Sequence, residues 1–223
     1  MITHDDQMAL FILISRNLGK NLECFAFGGT AMIFYGYKDS TKDIDLIFEK
    51  EKDREEFIRT IKELGFSEAS PFKIYISEKL RDKNRPLMFK RGDIRFDLFA
   101  RQIFRTKINP RMKEDLYAIH DFKESHTLKV KVLRKEHIVL LKSVTERQND
   151  FDDIRIILEK EKIFNWQYLV DEAVWQHNSG DNWVLLDLEK TMKELNKYVF
   201  IEQKYFRQIY DAQAFNKSLR ETS

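Results

Sequence analysis

The sequence contains few of the residues that mark disulfide-rich, fibrous or disordered proteins. Among its 223 residues are one cysteine, three prolines and seven glycines. The single cysteine, Cys24, can form neither an intramolecular disulfide nor a multi-cysteine zinc site, which favours a reducing compartment. The low proline and glycine contents, with 43% hydrophobic residues, exclude a collagen-like repeat and a disordered tail. The chain is therefore expected to fold as one large domain or two small ones.

Long apolar stretches are also absent, and the net charge is close to zero. No stretch approaches the roughly 18 apolar residues of a membrane helix, and the amino terminus has no targeting pattern, so we expect a cytoplasmic protein without a membrane partner. The formal net charge is only +2, which gives no argument for nucleic-acid binding. Locally, however, residues 79–113 contain 12 basic residues and three acidic ones. This basic segment is either a solvated face or a surface for a polyanion such as RNA.

Hydrophobic periodicity predicts an α+β first part, residues 1–133, and a helical second part, residues 134–223. In the first part we expect a helix over residues 4–18 and strands over residues 22–27, 43–49, 73–77, 87–90, 95–100 and 127–133, the last an edge or half-exposed strand. A further charged helix is expected over residues 51–64. The second part is expected to contain helices over residues 135–146, 151–161, 166–177, 183–198 and 203–219.

Two glycines follow the strand at 22–27 and precede a short helix. A Gly-Gly turn at this point lets phosphate oxygens approach the backbone N–H groups of the helix N-terminus. Gly28 and Gly29 are therefore candidate phosphate contacts, and Thr30 can add its hydroxyl. Thr41, in the loop before the next strand, is a further candidate. The glycines alone fit an ordinary tight turn equally well.

The strand at 43–49 carries two acids, Asp43 and Asp45, whose carboxylates project from the same face because they are two positions apart. Carboxylates placed in this way can hold one or two Mg²⁺ ions, which bridge to substrate phosphates. A third acid, Asp97, lies in an otherwise apolar strand, where an ionised carboxylate is costly unless it faces a metal ion, a cation or solvent. These three acids are candidate metal ligands, and they are expected to converge on one point.

In type and order these residues resemble the nucleotidyltransferase superfamily of the DNA polymerase beta type. Its pattern is Gly-Gly or Gly-Ser, a helix, Asp-x-Asp, and a later acid on a neighbouring strand. The resemblance implies a mixed β-sheet flanked by helices, followed by a helical C-terminal region. It also implies that Asp43 and Asp45 bind two Mg²⁺ ions, and that Asp97 completes this site and accepts a proton from the attacking hydroxyl. Gly29 stands where many members have Ser, which leaves Thr30 or a backbone amide to contact the phosphate.

Residues 141–154 resemble a Lys, Arg, Asp-hydrophobic-x-Asp pattern in the branch that includes toxins of type IV toxin–antitoxin pairs. The resemblance implies that Lys142 faces the nucleotide triphosphate as a catalytic and nucleotide-binding residue, with Arg147 as a second cation. We then expect Lys142→Ala to weaken nucleotide binding and to leave the melting temperature nearly unchanged. From the residues alone, surface ion pairs and a helix N-cap explain the same pattern.

Two functions fit these observations. The first is an enzyme that moves an NMP group from an NTP to a hydroxyl acceptor and releases pyrophosphate, with Mg²⁺ neutralising the developing charge. RNA and protein are the candidate acceptors, and a toxin would also have an antitoxin partner. The second is a non-catalytic nucleotide- or partner-binding module that has kept the fold. The presence of all three acids favours the enzyme, since a binding module has little reason to keep them.

Overall fold

The computed structural model describes residues 1–70, 77–145, 147 and 149–221. The chain divides into two compact units, Met1–Ile138 and Val139–Ser223, so the division falls inside one helix, Lys135–Thr145. Among the described helices, none combines the length and the apolarity that a membrane crossing requires.

The first unit is built on a mixed β-sheet. Its strands are β1 (Ile2–Thr3), β2 (Leu22–Ala26), β3 (Ser40–Thr41), β4 (Asp43–Phe48), β5 (Ser67–Glu68), β6 (Leu87–Arg91), β7 (Ile94–Ala100), β8 (Gln102–Ile103), β9 (Thr106–Lys107), β10 (Leu116–Lys123) and β11 (Thr127–Leu133). The order across the sheet is β10-β11-β2-β4-β7-β6-β5, with the β8–β9 hairpin attached at the end of β7. The pairs β11–β2 and β4–β7 are parallel, and the other neighbours are antiparallel. Strands β1 and β3 form a separate two-stranded sheet.

Helices accompany this sheet and make up the second unit. They are α1 (His4–Asn17), α2 (Gly28–Phe34), α3 (Glu51–Glu63), α4 (Ser77–Arg81), α5 (Pro110–Glu114), α6 (Lys135–Thr145), α7 (Asp150–Lys160), α8 (Trp166–Asn178), α9 (Val184–Leu195) and α10 (Gln203–Glu221). The expected α+β class, with a mixed sheet, flanking helices and a helical C-terminal region, is confirmed.

The core of the first unit explains which way the acids of β4 point. Phe11 of α1 and Phe57 of α3 pack with the apolar residues at the even positions of β4, and with those of β2 and β7, in one buried cluster. A capping box between Thr3 and Asp6 fixes the start of α1. Because strand side chains alternate between faces, the odd positions of β4 project from the opposite face of the sheet.

Strand β11 is the half-exposed strand of the two alternatives expected for residues 127–133, since its residues alternate between half-buried and buried. It is not an edge strand, because β10 and β2 pair with it on its two sides. Strand β10 has no alternating pattern in the sequence, because two positions of its exposed face, Tyr117 and Ile119, are large apolar residues that are 50% and 55% exposed. In the strand expected over residues 73–77, residues 73–76 lie outside the described residues, and Ser77 begins α4.

The two glycines belong to α2 itself. The expected arrangement was a Gly-Gly turn followed by a helix from Thr30, whereas the helix begins at Gly28 and Phe27 occupies the N-cap position. Gly28 has a φ of +53°, a left-handed conformation that favours glycine. The chain can therefore turn directly from β2 into the helix.

Candidate functional site

The parallel register of β4 and β7 brings the three acids together. Asp45 lies directly opposite Asp97, and Asp43 lies opposite Arg95. Since side chains two apart on a strand share a face, all four side chains project from the face away from α1 and α3. Asp97 is fully buried and Asp45 is 1% exposed, whereas the side chain of Asp43 is 23% exposed. The acids thus form a group that reaches from the protein interior toward its surface.

Hydrogen bonds from the start of α2 hold Asp45 in place. The backbone N–H of Gly29 donates to Asp45 Oδ2 at 2.8 Å, and the backbone N–H of Asp45 donates to Thr30 Oγ1 at 2.7 Å. Thr30 is fully buried. The groups expected to contact phosphate at Gly29 and Thr30 therefore fasten α2 to β4 in this structure, and any contact with phosphate stays a prediction.

Both glycines are needed because α2 approaches β4 and β3 closely. A Cβ at Gly28 would overlap the carboxylate of Asp45, and a Cβ at Gly29 would lie 2.5 Å from Thr41 Oγ1. Thr41 is 8% exposed, and its hydroxyl lies 3.2 Å from the carbonyl oxygen of Asp43 and 3.4 Å from its amide nitrogen. Thr41 therefore shapes the backbone that carries the first acid.

Gly28→Ala is expected to lower the free energy of unfolding by about 2–4 kcal/mol, because a left-handed φ costs about 1–2 kcal/mol and the overlap with Asp45 about as much again. Gly36→Ala is the matched control, since Gly36 has a φ of +70° but no atom within 4 Å of an added Cβ. It should lose only the conformational part. Urea denaturation measures both, and equal losses would show that the close approach to Asp45 has no energetic weight.

Arg95 is a site residue that the sequence analysis missed. Its guanidinium forms an ion pair with Asp43, and its Nε donates to Asp97 Oδ1 at 2.8 Å. Burial alone would lower the pKa of Arg95, but the charges of Asp97 and Asp43 outweigh it, so the pKa is raised. The available signal was its position two residues before Asp97, which places it on the same face of β7.

The donor set fits a divalent cation in chemistry and in charge. Asp43, Asp45 and Asp97 supply the carboxylate oxygens that Mg²⁺ prefers. Three carboxylates against the one guanidinium of Arg95 leave a formal charge of −2, which one Mg²⁺ would balance. Within residues 1–70, 77–145, 147 and 149–221, however, no group of three or more His, Cys, Asp or Glu side chains is already arranged to hold a metal ion. The guanidinium of Arg95 is the cation that the structure places between Asp43 and Asp97.

Lys142 and Arg147 belong to an ion cluster inside the second unit. Lys142 Nζ donates to Asp150 Oδ1 at 3.0 Å and to Asp153 Oδ2 at 2.6 Å. Asp150 Oδ2 accepts from Thr145 Oγ1 at 2.6 Å and from the Arg147 backbone N–H at 2.8 Å. Lys142 is 2% exposed, so these contacts are not the surface ion pairs of the alternative interpretation.

Opposite charges compensate for burial in this cluster. Burial alone would lower the pKa of Lys142, but Asp150 and Asp153 outweigh it and the pKa is raised. Burial alone would raise the pKa of Asp150, but Lys142 and Arg147 outweigh it and the pKa is lowered. The charge of Lys142 is therefore already matched by two carboxylates.

The basic segment lies mainly toward the far end of β7 from Arg95. Exposed Arg81, Lys83 and Arg85 precede β6, whose first residues pair with the carboxyl end of β7. The β8–β9 hairpin, with Arg105 and Lys107 exposed, also adjoins that end. From Asp97 to Ala100 is about 10 Å at the rise of a β-strand. Arg95, which belongs to the same basic segment, lies at the other end of β7 and pairs with Asp43 and Asp97.

No family model matches the chain, and no curated protein matches it. Among solved structures, the chain is similar to the crystal structure of a "putative nucleotidyltransferase from H. pylori". The identity is 17%, the match covers 99% of this chain and 96% of that chain, and the TM-score is 0.41. A similarity with a TM-score this low carries no argument about function, which has to come from the residues of the site.

Proposed function

We propose that this protein is an Mg²⁺-dependent nucleotidyltransferase that moves an NMP group from an NTP to a hydroxyl acceptor. The observation that supports it best is the register of β4 and β7, which places Asp45 opposite Asp97 with Asp43 on the same face. Two buried carboxylates on neighbouring strands are costly for folding alone. Carboxylates are metal ligands and are out of place in a packed core, so their burial side by side favours a catalytic role.

In the proposed reaction the acceptor hydroxyl attacks the α-phosphorus in line, and pyrophosphate leaves. Asp43, Asp45 and Asp97 would hold Mg²⁺, which when bound neutralises the charge that develops on the phosphoryl oxygens. Asp97 Oδ2 takes the hydroxyl proton, because Oδ1 is the oxygen that receives the shorter hydrogen bond from Arg95. The Gly29 N–H keeps Asp45 oriented throughout.

The test is incubation with each of the four NTPs labelled at the α-phosphate, together with Mg²⁺ and either total RNA or total protein. The wild type should label one fraction, and Asp45→Asn should abolish this labelling because it removes a charge from the acid group. Asp93→Asn, in the exposed β6–β7 turn, is the matched control and should label normally. No labelling with any NTP, or full labelling by Asp45→Asn, would contradict the enzyme.

RNA is the acceptor that the basic segment favours over protein. Exposed cations near the carboxyl end of β7 can neutralise several phosphates of a single strand, giving a log–log salt slope of about −0.7 per contact. The double variant Arg81→Glu and Lys83→Glu should weaken RNA binding and flatten that slope. Lys162→Glu with Arg207→Glu, which changes the charge equally in the second unit, should not. Equal RNA binding by both variants would instead favour a solvated face and a different acceptor.

A non-catalytic nucleotide-binding module is the second candidate, and the pairing of Arg95 with Asp43 and Asp97 is the observation that favours it. If the guanidinium permanently serves as the site's cation, nucleotide would bind without Mg²⁺ and no label would be transferred. The labelling experiment, repeated as a binding measurement with and without Mg²⁺, separates the two. The toxin role and an antitoxin partner are supported only by the Lys142–Asp153 pattern.

In either case the ion pairs of Lys142 and Arg147 with Asp150 and Asp153 suit a structural part in the second unit. Their ion cluster lines a cavity in the second unit, and neither the buried Nζ of Lys142 nor its matched charge suits a direct triphosphate contact.

A further inference from the structure

The two outermost strands of the described sheet differ in length and in chemistry. Strand β5, at one edge, has only two residues, Ser67 and Glu68, and both are exposed and polar. Strand β10, at the other edge, has eight residues, and no strand of the described chain pairs with its outer side. A long edge strand presents unpaired N–H and C=O groups to which another chain can add, and a short polar edge does not. Strand β10 is therefore the edge at which this sheet can be extended.

The side chains of β10 do little to prevent such an extension. Edge strands that avoid association usually carry proline or charged residues. The exposed positions of β10 are instead apolar in its first half, with Tyr117 and Ile119, and charged only in its second half, with Asp121 and Lys123. A β-bulge interrupts the strand at Tyr117, close to one end. The regular part of the strand from Ala118 onward, with Ile119 at its surface, stays open to another strand.

A second copy of β10 fits this edge as an antiparallel strand. In such a pair a two-fold axis passes beside one residue of each strand, and positions equally far before and after that residue lie opposite each other. With the axis at Ile119, the two Ile119 side chains meet, and each Tyr117 lies opposite the partner's Asp121. The phenol hydroxyl of a tyrosine can donate to a carboxylate, and β-branched side chains pack well across strands. Each exposed side chain from 117 to 121 then has a suitable neighbour.

Other registers are less favourable. With the axis at Asp121, the two carboxylates would lie opposite each other, and like charges in that position are destabilising. With the axis at His120, Ile119 would lie opposite the partner's Asp121, whose carboxylate would be desolvated beside an apolar side chain. With the axis at Ala118, the bulge at Tyr117 would fall next to the centre of the pair. The side chains of β10 therefore select Ile119 as the centre.

We propose that two copies of this chain associate by antiparallel pairing of β10 with β10, around a two-fold axis at Ile119. The backbone groups of the open edge supply the hydrogen bonds, and the side-chain pairs select a second copy over an extended segment of another protein. The pairing covers a short segment, so its area falls at the small end of specific interfaces and the dimer should dissociate on dilution. It uses none of the candidate site residues and does not rest on the proposed function.

The first test is the mass of the full chain, measured by sedimentation velocity across a range of concentrations. The wild type should change from one chain to two as the concentration rises. Ile119→Lys should stay at one chain, because two ammonium groups would meet at the axis. Leu87→Lys is the matched control, since Leu87 is also exposed but lies on β6, five strands from β10. It should dimerise like the wild type.

The second test is a disulfide between the two copies, which reports the register without weakening the pair. Directly opposite Cα atoms of an antiparallel pair are about 4.5–5.5 Å apart, within the range of a disulfide, so Ile119→Cys should cross-link two chains on mild oxidation. Asp121→Cys is the matched control. Its two copies would lie four positions apart, about 14 Å along the strands, and should not cross-link. The native Cys24 is fully buried and cannot contribute.

Three results would overturn the proposal. A single chain at every concentration would leave the edge to an extended segment of another protein. A dimer that persists in Ile119→Lys would mean that another surface holds the copies together. Equal cross-linking by Ile119→Cys and Asp121→Cys would show random collision instead of a fixed register. Label transfer is measured separately, since none of these variants changes an acid of the candidate site, and its failure would not bear on the dimer.

Discussion

Lys142→Ala is expected to lower the free energy of unfolding by about 3–5 kcal/mol, the usual cost of removing one partner from a buried ion pair. Lys142 is 2% exposed, and its ammonium is bound by Asp150 and Asp153. Its loss leaves two buried carboxylates without their main cation. This corrects the expectation of a nearly unchanged melting temperature, which assumed a side chain free to face a triphosphate.

Urea denaturation should compare this variant with Lys162→Ala, an exposed lysine of the same unit whose loss should change stability by less than about 0.5 kcal/mol. The double variant Lys142→Ala with Asp150→Ala should lose less than the sum of the two single variants, because each single change removes the same pair. Equal stability of Lys142→Ala and Lys162→Ala would show that the buried cluster does not stabilise the fold.

The cluster also gives a pH dependence of known sign. The pKa of Asp150 is lower in the folded chain than its ordinary value, so the unfolded chain binds the proton more readily. The stabilisation by this group is therefore complete above about pH 4, and it is lost as the pH falls toward the folded-state pKa. In Lys142→Ala the loss of stability at low pH should be smaller, since Lys142 contributes more than Arg147 to lowering the pKa of Asp150.

The sequence was sufficient wherever one periodicity dominated. The alternation of acids with Ile44, Leu46 and Phe48 predicted β4, and Asp97 in an apolar run predicted β7, because each strand has one face in the core. Strand β10 could not be found in this way, since its exposed face carries apolar residues. The order of strands in the sheet, and thus the pairing of Asp45 with Asp97, depends on long-range contacts that no local pattern contains.

The contacts of the cations were harder to predict than those of the acids. Lys142 lies on an amphipathic helix whose pattern does not say whether a lysine is buried with partners or exposed, because only the folded unit places Asp150 and Asp153 beside it. Arg95 is one of twelve basic residues in the segment 79–113, and the sequence does not distinguish it from the others. Arg95 shares a face of β7 with Asp97. Only the pairing of β7 with β4 shows that this face also carries Asp43 and Asp45.

Arg95→Met is expected to lower the free energy of unfolding by about 3–5 kcal/mol in EDTA, because it leaves Asp97 fully buried without the cation that binds it. The apolar stem of methionine keeps most of the packing, so the loss reports mainly the charge. Arg95→Lys should be intermediate, since an ammonium is a point charge and cannot present the planar fork that reaches both Asp43 and Asp97.

The effect of Mg²⁺ on the melting temperature should show which of two parts Arg95 has. Its guanidinium is either a permanent structural partner of the carboxylates or a cation that competes with a metal ion for them. The guanidinium of Arg95 takes oxygens of Asp43 and Asp97, so in the wild type a metal ion has to compete with it, whereas in Arg95→Met the same oxygens carry uncompensated charge. A ligand that binds only the folded state stabilises it by RT ln(1 + [L]/Kd), so tighter binding gives the larger stabilisation. The rise in melting temperature on adding Mg²⁺ should therefore be larger for Arg95→Met than for the wild type.

Lys90→Met, which removes an exposed cation opposite Arg95 on β6, should respond to Mg²⁺ like the wild type. If Mg²⁺ instead leaves Arg95→Met as unstable as it is in EDTA, the three acids do not form a metal site and the guanidinium is their permanent partner.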